Sequence, residues 1–168
     1  MDIREQDHHF MRAALEQARI GQRTPGAGEV GCVIVRDGEI VMRAHNEAEM
    51  RMDPTAHSEI VAIRRLCELR RTMDLKGCTL YCTLQPCGMC TFAAIWSGIE
   101  RIVYGATRTE ANDIYFATRH FDTEDFFRDS YKGAMKVTKG VLEDACMQLY
   151  LRKNEPVPQD KKEKDAAH

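Results

Sequence analysis

Cys78-Thr79-Leu80-Tyr81-Cys82-Thr83-Leu84-Gln85-Pro86-Cys87-Gly88-Met89-Cys90 changes character once along its length. Its first seven residues form an unbroken apolar and β-branched run, the pattern of a strand buried on both faces. After Pro86, residues 88–97 are small and apolar enough to pack as a helix, and Gly98 ends it. Strand passing directly into helix is the unit of an α/β layer fold. Residues 101–105, Arg-Ile-Val-Tyr-Gly, supply the next strand.

Upstream, Ile60, Val61, Ile63, Leu66, Cys67 and Leu69 form a helical stripe over residues 58–69. Before it, Val30 to Val35 and Ile40 to Met42 flank Arg36-Asp37-Gly38-Glu39, and Asp-Gly between two apolar runs predicts a hairpin. Residues 7–20 place Phe10, Met11, Ala14, Leu15 and Ala18 at helical spacing, stopped by Gly21. Downstream, residues 107–132 are the least regular, with a short helix expected from Thr123. A strand over 134–138 and a helix over 141–151 follow. Helices alternating with strands make the fold class α/β. One domain over residues 1–154 is expected, with 155–168 a charged, solvated tail after Glu155-Pro156-Val157-Pro158.

The chain has 168 residues, 43% of them hydrophobic, enough to bury one core. Its 24 basic and 26 acidic side chains leave a net charge of −2, so no global field draws in phosphates, and a small molecule is preferred to nucleic acid as partner. Residues 1–5 carry no apolar signal core, and no uncharged apolar run is long enough to span a bilayer. A cytoplasmic protein without a membrane partner is expected. Seven cysteines is an odd number, and they lie within regular-looking stretches, which argues against a disulfide framework.

Catalytic zinc takes three nitrogen or sulfur ligands and keeps one position open. Cys87 and Cys90 straddle a helix start, where the first turn aims both thiols to one side and the helix dipole favours thiolate. His57 opens another helix after the turn Asp53-Pro54-Thr55-Ala56, and Glu59 is two residues further on. Singly, each feature has a plainer reading: Cys87-Gly88-Met89-Cys90 as a redox pair, His57 as a helix-cap residue, Glu59 as an acid at a helix start. Jointly, H-x-E followed after 27 residues (60 to 86) by C-x-x-C behind a proline is the zinc-deaminase signature. Cys32, Cys67, Cys78, Cys82 and Cys146 read as small core residues.

Asp53-Pro54-Thr55-Ala56-His57-Ser58-Glu59 and Thr83-Leu84-Gln85-Pro86-Cys87-Gly88-Met89-Cys90 make the chain resemble the cytidine deaminase-like superfamily, in the branch of guanine, cytosine and tRNA adenosine deaminases. The likeness runs from about Met11 to about Tyr150. It implies a three-layer α/β/α fold with a central five-stranded mixed sheet, and a homodimer. It also implies one Zn2+ per chain held by His57, Cys87 and Cys90, with Glu59 moving protons. Asn46 matches a position that meets the substrate base, with a plain turn residue as the alternative. Gln85 departs from the glutamate usual in that branch.

Phe121-Asp122-Thr123-Glu124-Asp125-Phe126-Phe127 is similar to an acidic-aromatic stretch of guanine deaminases, in which Asp122 would accept from a ring N–H. A charged helix start with phenylalanine packed inward is the other reading. The expected reaction is hydrolytic removal of an exocyclic amino group, as ammonia, from a free guanine-like or cytosine-like base. The alternative is tRNA adenosine deamination to inosine. It draws on residues 141–146 and on Arg152, Lys153, Lys161, Lys162 and Lys164, although these lysines alternate with Asp160, Glu163 and Asp165. A zinc-stabilised binding module that does not need Glu59 is a third class.

Overall fold

The computed structural model describes residues 2–107, 122–130 and 135–150. The first helix, α1 (Ile3–Arg23), starts four residues before the apolar periodicity does. Asp2 and Glu5 form a reciprocal capping box that satisfies its leading amides. Its buried stripe is Phe10, Met11, Ala14, Leu15 and Ala18.

The hairpin pairs β1 (Gly28–Arg36) with β2 (Glu39–Asn46). Asp37 and Gly38 both take positive φ (54° and 78°), the two-residue turn whose twist matches that of paired strands. Strand β2 runs four residues past the apolar run, which brings Asn46 to its end. A short helix that the hydrophobic pattern did not foretell, α2 (Ala48–Arg51), follows it.

Next come α3 (Ser58–Arg70), β3 (Cys78–Leu84), α4 (Gly88–Trp96) and β4 (Arg101–Ala106). The chain then forms α5 (Thr123–Arg128), β5 (Lys136–Thr138) and α6 (Glu143–Met147). The last helix is shorter than expected. Leu142 adopts a left-handed φ of 53° and Val141 donates its amide to Tyr104 O at 3.2 Å, so helical hydrogen bonding begins only afterwards. The expected strand start at Ala134, residues 108–121 and 131–132 of the irregular segment, the end of the expected last helix at 151 and the tail from 155 lie outside the described residues.

The sheet order is β2-β1-β3-β4-β5, with β1 antiparallel to both neighbours and β3, β4 and β5 parallel. This is the expected five-stranded mixed sheet in an α/β/α sandwich. Alternation along the strands divides the interior in two. Cys32, Ile34, Leu80, Cys82, Ile102 and Tyr104 face α3 and α4. Val33, Val35, Tyr81 and Val103 face α1 and α6. Gly31 lets α1 lie directly on β1, since a Cβ there would sit 2.3 Å from both Ala14 O and Ala18 N. Asp7, buried on α1, locks the helix to the sheet. It takes a bidentate pair from Arg101 on β4 at 2.7 and 2.8 Å and the Tyr81 hydroxyl of β3 at 2.8 Å. Among the described residues no helix is long and apolar enough to cross a membrane.

Candidate active site

His57 and Cys87 occupy the same structural position on two helices. Each is the N-cap, of α3 and of α4 respectively, and neither side chain caps its own helix. Cys90 is in the first turn of α4. The start of α3 is fixed to β1 by the Cys32 thiol, which donates to Ser58 O at 3.1 Å.

Two helix starts therefore meet over the sheet. His57 Nδ1 lies 3.7 Å from Cys87 Sγ and 3.6 Å from Cys90 Sγ, and the two sulfurs are 3.6 Å apart. Zinc bonds of about 2.3 Å to sulfur and about 2.0 Å to nitrogen give tetrahedral edges of about 3.8 Å between sulfurs and about 3.5 Å from sulfur to nitrogen. One triangular face of such a tetrahedron is thus already in place. Among the described residues these three form a group that could hold a metal ion.

The protonation chemistry of the cluster points the same way. A hydrogen bond from the Cys90 thiol, helped by His57 and the Cys90 amide, pushes the Cys87 thiol down to about 4. Cys90, which gives that hydrogen bond and is buried, is held well above the ordinary thiol range. Two sulfurs this close cannot both ionise without a cation between them, and a dication supplies what they lack.

Glu59, 4% exposed, stands beside the cluster and accepts from Ser58 Oγ at 2.8 Å. Burial first, and then the charge on Cys87, raises its pKa above the usual carboxylate value. A carboxyl whose pKa is moved upward from the ordinary carboxylate range is better matched to proton transfer than a free one.

His57, Glu59 and Cys87 line a cavity of about 120 Å³ together with Asn46, Val30, Leu84 and Gln85. Asn46 Oδ1 accepts from the Ala48 amide at 2.9 Å, which fixes the orientation of its side-chain amide. Glu47 secures the chain at this point. Its carboxylate, 1% exposed, takes Arg65 Nη2 at 2.8 and 3.1 Å and Arg51 Nε, and its amide bonds Ala56 O at 3.0 Å.

Asp122 is not in the cavity wall. One oxygen accepts the Thr123 amide at 2.7 Å as the cap of α5, and the other accepts Lys139 Nζ at 2.7 Å. Gln85 Nε2 also donates to it. The charged helix start is therefore the reading the geometry favours. Glu47 is a site residue that sequence reasoning missed, and Gln85, noted in the sequence only as a departure from the branch's glutamate, lines the cavity. Glu47 carries a local sign in its i,i+4 spacing to Arg51, but Arg65 is 18 residues away and leaves none.

Residues 4–106 match the cytidine and deoxycytidylate deaminase zinc-binding region, and the chain belongs to that family. It is a zinc-dependent hydrolytic deaminase. The tRNA-specific adenosine deaminase of Aquifex aeolicus is 44% identical over 100 residues, 58% of this chain and 64% of that one. The protein of the same name from Bacillus subtilis is 34% identical over 141 residues, 84% of each chain. A structure described in work on A-to-I editing by tRNA:A34 deaminases at the wobble position superposes with a TM-score of 0.71 and 31% identity. That match covers 84% of this chain and 98% of the other.

These similarities overturn the expectation of a free nucleobase as substrate. tRNA-specific adenosine deaminases recur among the relatives from several bacteria, whereas the guanine deaminase of Bacillus subtilis aligns over 107 residues at 36% identity, 64% of this chain and 69% of that one. The charge argument failed because a net charge of −2 is a sum over the whole surface and does not report a local face.

Proposed function

We propose that this chain deaminates adenosine to inosine within a tRNA. The observation that carries this reading is the likeness to a tRNA-specific adenosine deaminase across 84% of both chains, which includes every wall of the cavity. His57, Cys87 and Cys90 would hold one zinc ion. When bound, zinc supplies Lewis-acid activation of a water, whose pKa it brings to about 7.

Glu59 does the proton work. It takes a proton from the attacking water and passes it to the ring nitrogen beside C6, then serves the departing amino group. The water oxygen becomes the C6 carbonyl, the C6–N6 bond breaks and ammonia leaves. Asn46, its amide orientation set by Ala48, hydrogen-bonds the base. The small cavity suits one base turned out of its stack.

The working unit is a homodimer. Support comes from the family resemblance and from the exposed Met89 and Trp96 of α4. Sedimentation at micromolar concentration tests it, and a monomer there would exclude it.

The reaction is tested by incubating zinc-loaded protein with a tRNA anticodon stem-loop carrying adenosine, then digesting the RNA and separating its nucleosides. Inosine is expected. Ammonia from free guanine with none from the RNA would overturn the reading.

A further inference from the structure

We propose that Gln85 and Asp122 are a matched pair, in which Asp122 acts as a positioning residue that fixes the orientation of the Gln85 amide in the wall of the cavity. The inference rests on the deaminase reading of the site and assigns it a residue beyond the metal cluster and Glu59.

Gln85 is 6% exposed, lines the cavity with His57, Glu59 and Cys87, and directly precedes Pro86-Cys87. Its backbone is pinned to the sheet, since its amide donates to Ala106 O at 2.8 Å. Its side-chain Nε2 donates to Asp122 Oδ1 and to Thr123 Oγ1 at 3.2 Å.

Asp122 is held from several sides. The Thr123 amide and Lys139 Nζ each reach its carboxylate at 2.7 Å, and its own amide donates to Asp125 Oδ2 at 2.7 Å. Lys139 is also tied to Glu124 Oε1 at 2.7 Å. An ionised carboxylate only accepts hydrogen bonds. The amide of Gln85 must therefore turn its NH2 towards Asp122, which sends its oxygen to the opposite side. Acceptors at the start of α5, led by a carboxylate anchored by a capping box and a lysine, thus decide which end of a wall residue is donor and which is acceptor.

The same geometry says what residue 85 cannot be while residue 122 is aspartate. Glutamate would set two carboxylates face to face, with the Thr123 hydroxyl as the nearby donor in place of the amide that now joins them. Exchanging the roles restores the bond. In Q85E/D122N the amide introduced at position 122 donates to the carboxylate introduced at position 85 and gives up the cap of α5, because Asp122 Oδ1 both meets Gln85 and accepts the Thr123 amide, while the oxygen of the new amide faces Lys139.

The test is a double-mutant cycle in the full-length, zinc-loaded protein. Q85E is expected to lose about 10-fold to 100-fold in kcat/KM on the stem-loop, the size of one charge-assisted hydrogen bond. Its zinc content should stay at one per chain. Q85E/D122N is expected to recover to within about threefold of wild type, a rescue that a merely structural role would not produce.

A second readout does not depend on turnover. The Gln85 side-chain NH2, followed by nitrogen-15 NMR, should be protected from solvent exchange in wild type and lose that protection in D122S, where serine keeps the helix cap but not the carboxylate. Losses that multiply in the double variant, or equal exchange in wild type and D122S, overturn the pair. Protected exchange in wild type with no inosine formed would overturn the function and leave the pair standing.

Discussion

Glu59 is a buried acid whose neighbours all bear on its proton: Ser58 donates to it, while Cys87 and burial hold its pKa up. Glu59→Ala should therefore keep its zinc and lose about 10²-fold to 10⁴-fold in turnover, the contribution of a general acid-base group. Metal analysis beside a rate measurement checks both halves, and unchanged turnover excludes the role. Cys87→Ala removes a corner of the His57–Cys87–Cys90 triangle and should lose the metal itself. Full zinc occupancy in that variant would refute the ligand assignment. That these residues come together was legible in the sequence because metal chemistry admits few side chains and their spacing is local, two residues in one helix start and three in the other. Asp122 was not. Its partners Gln85 and Lys139 lie 37 and 17 residues away, so no local pattern separates a carboxylate that faces a ligand from one that caps a helix.

At the scale of elements, the anchoring of α1 is the sharpest case. Asp7→Ala would leave Arg101, with its side chain 17% exposed, and the Tyr81 hydroxyl without their shared acceptor. A loss of about 3 kcal/mol in urea unfolding is expected, the low end for breaking a buried pair because Arg101 keeps some water. A loss under about 0.5 kcal/mol would place the pair with ordinary surface bridges. The pattern of apolar residues foretold β3 to the residue, and α3 and α4 to within one, since each buries one continuous stripe. It failed for α2 and α6. The four residues of α2 are held by the Glu47 cluster without burying any side chain of their own, and the left-handed Leu142 shortens α6.

For the whole molecule, the metal should count as part of the stability. Binding to the native state alone shifts the unfolding equilibrium by mass action. Stripping zinc with a strong chelator should lower the thermal midpoint, and re-adding zinc should restore it; equal midpoints with and without metal would mean that the triangle stands unaided. At this scale the fold class was legible from alternating patterns, and the substrate was not. Choosing between a base and an RNA depends on how charge is distributed in three dimensions, and composition records only its total.

The parallel pairing of β4 with β5 joins residues 101–103 to residues 136–138 through the long connection between them. Parallel strands need such a crossover, and contacts distant in sequence form late. His57, Cys87 and Cys90 all precede the crossover, as do the first four strands. During synthesis at about 5–20 residues per second, the side chains proposed to hold the metal leave the ribosome seconds before the last strand can pair. Translation itself therefore presents the proposed metal ligands and four of the five strands before the strand that completes the sheet.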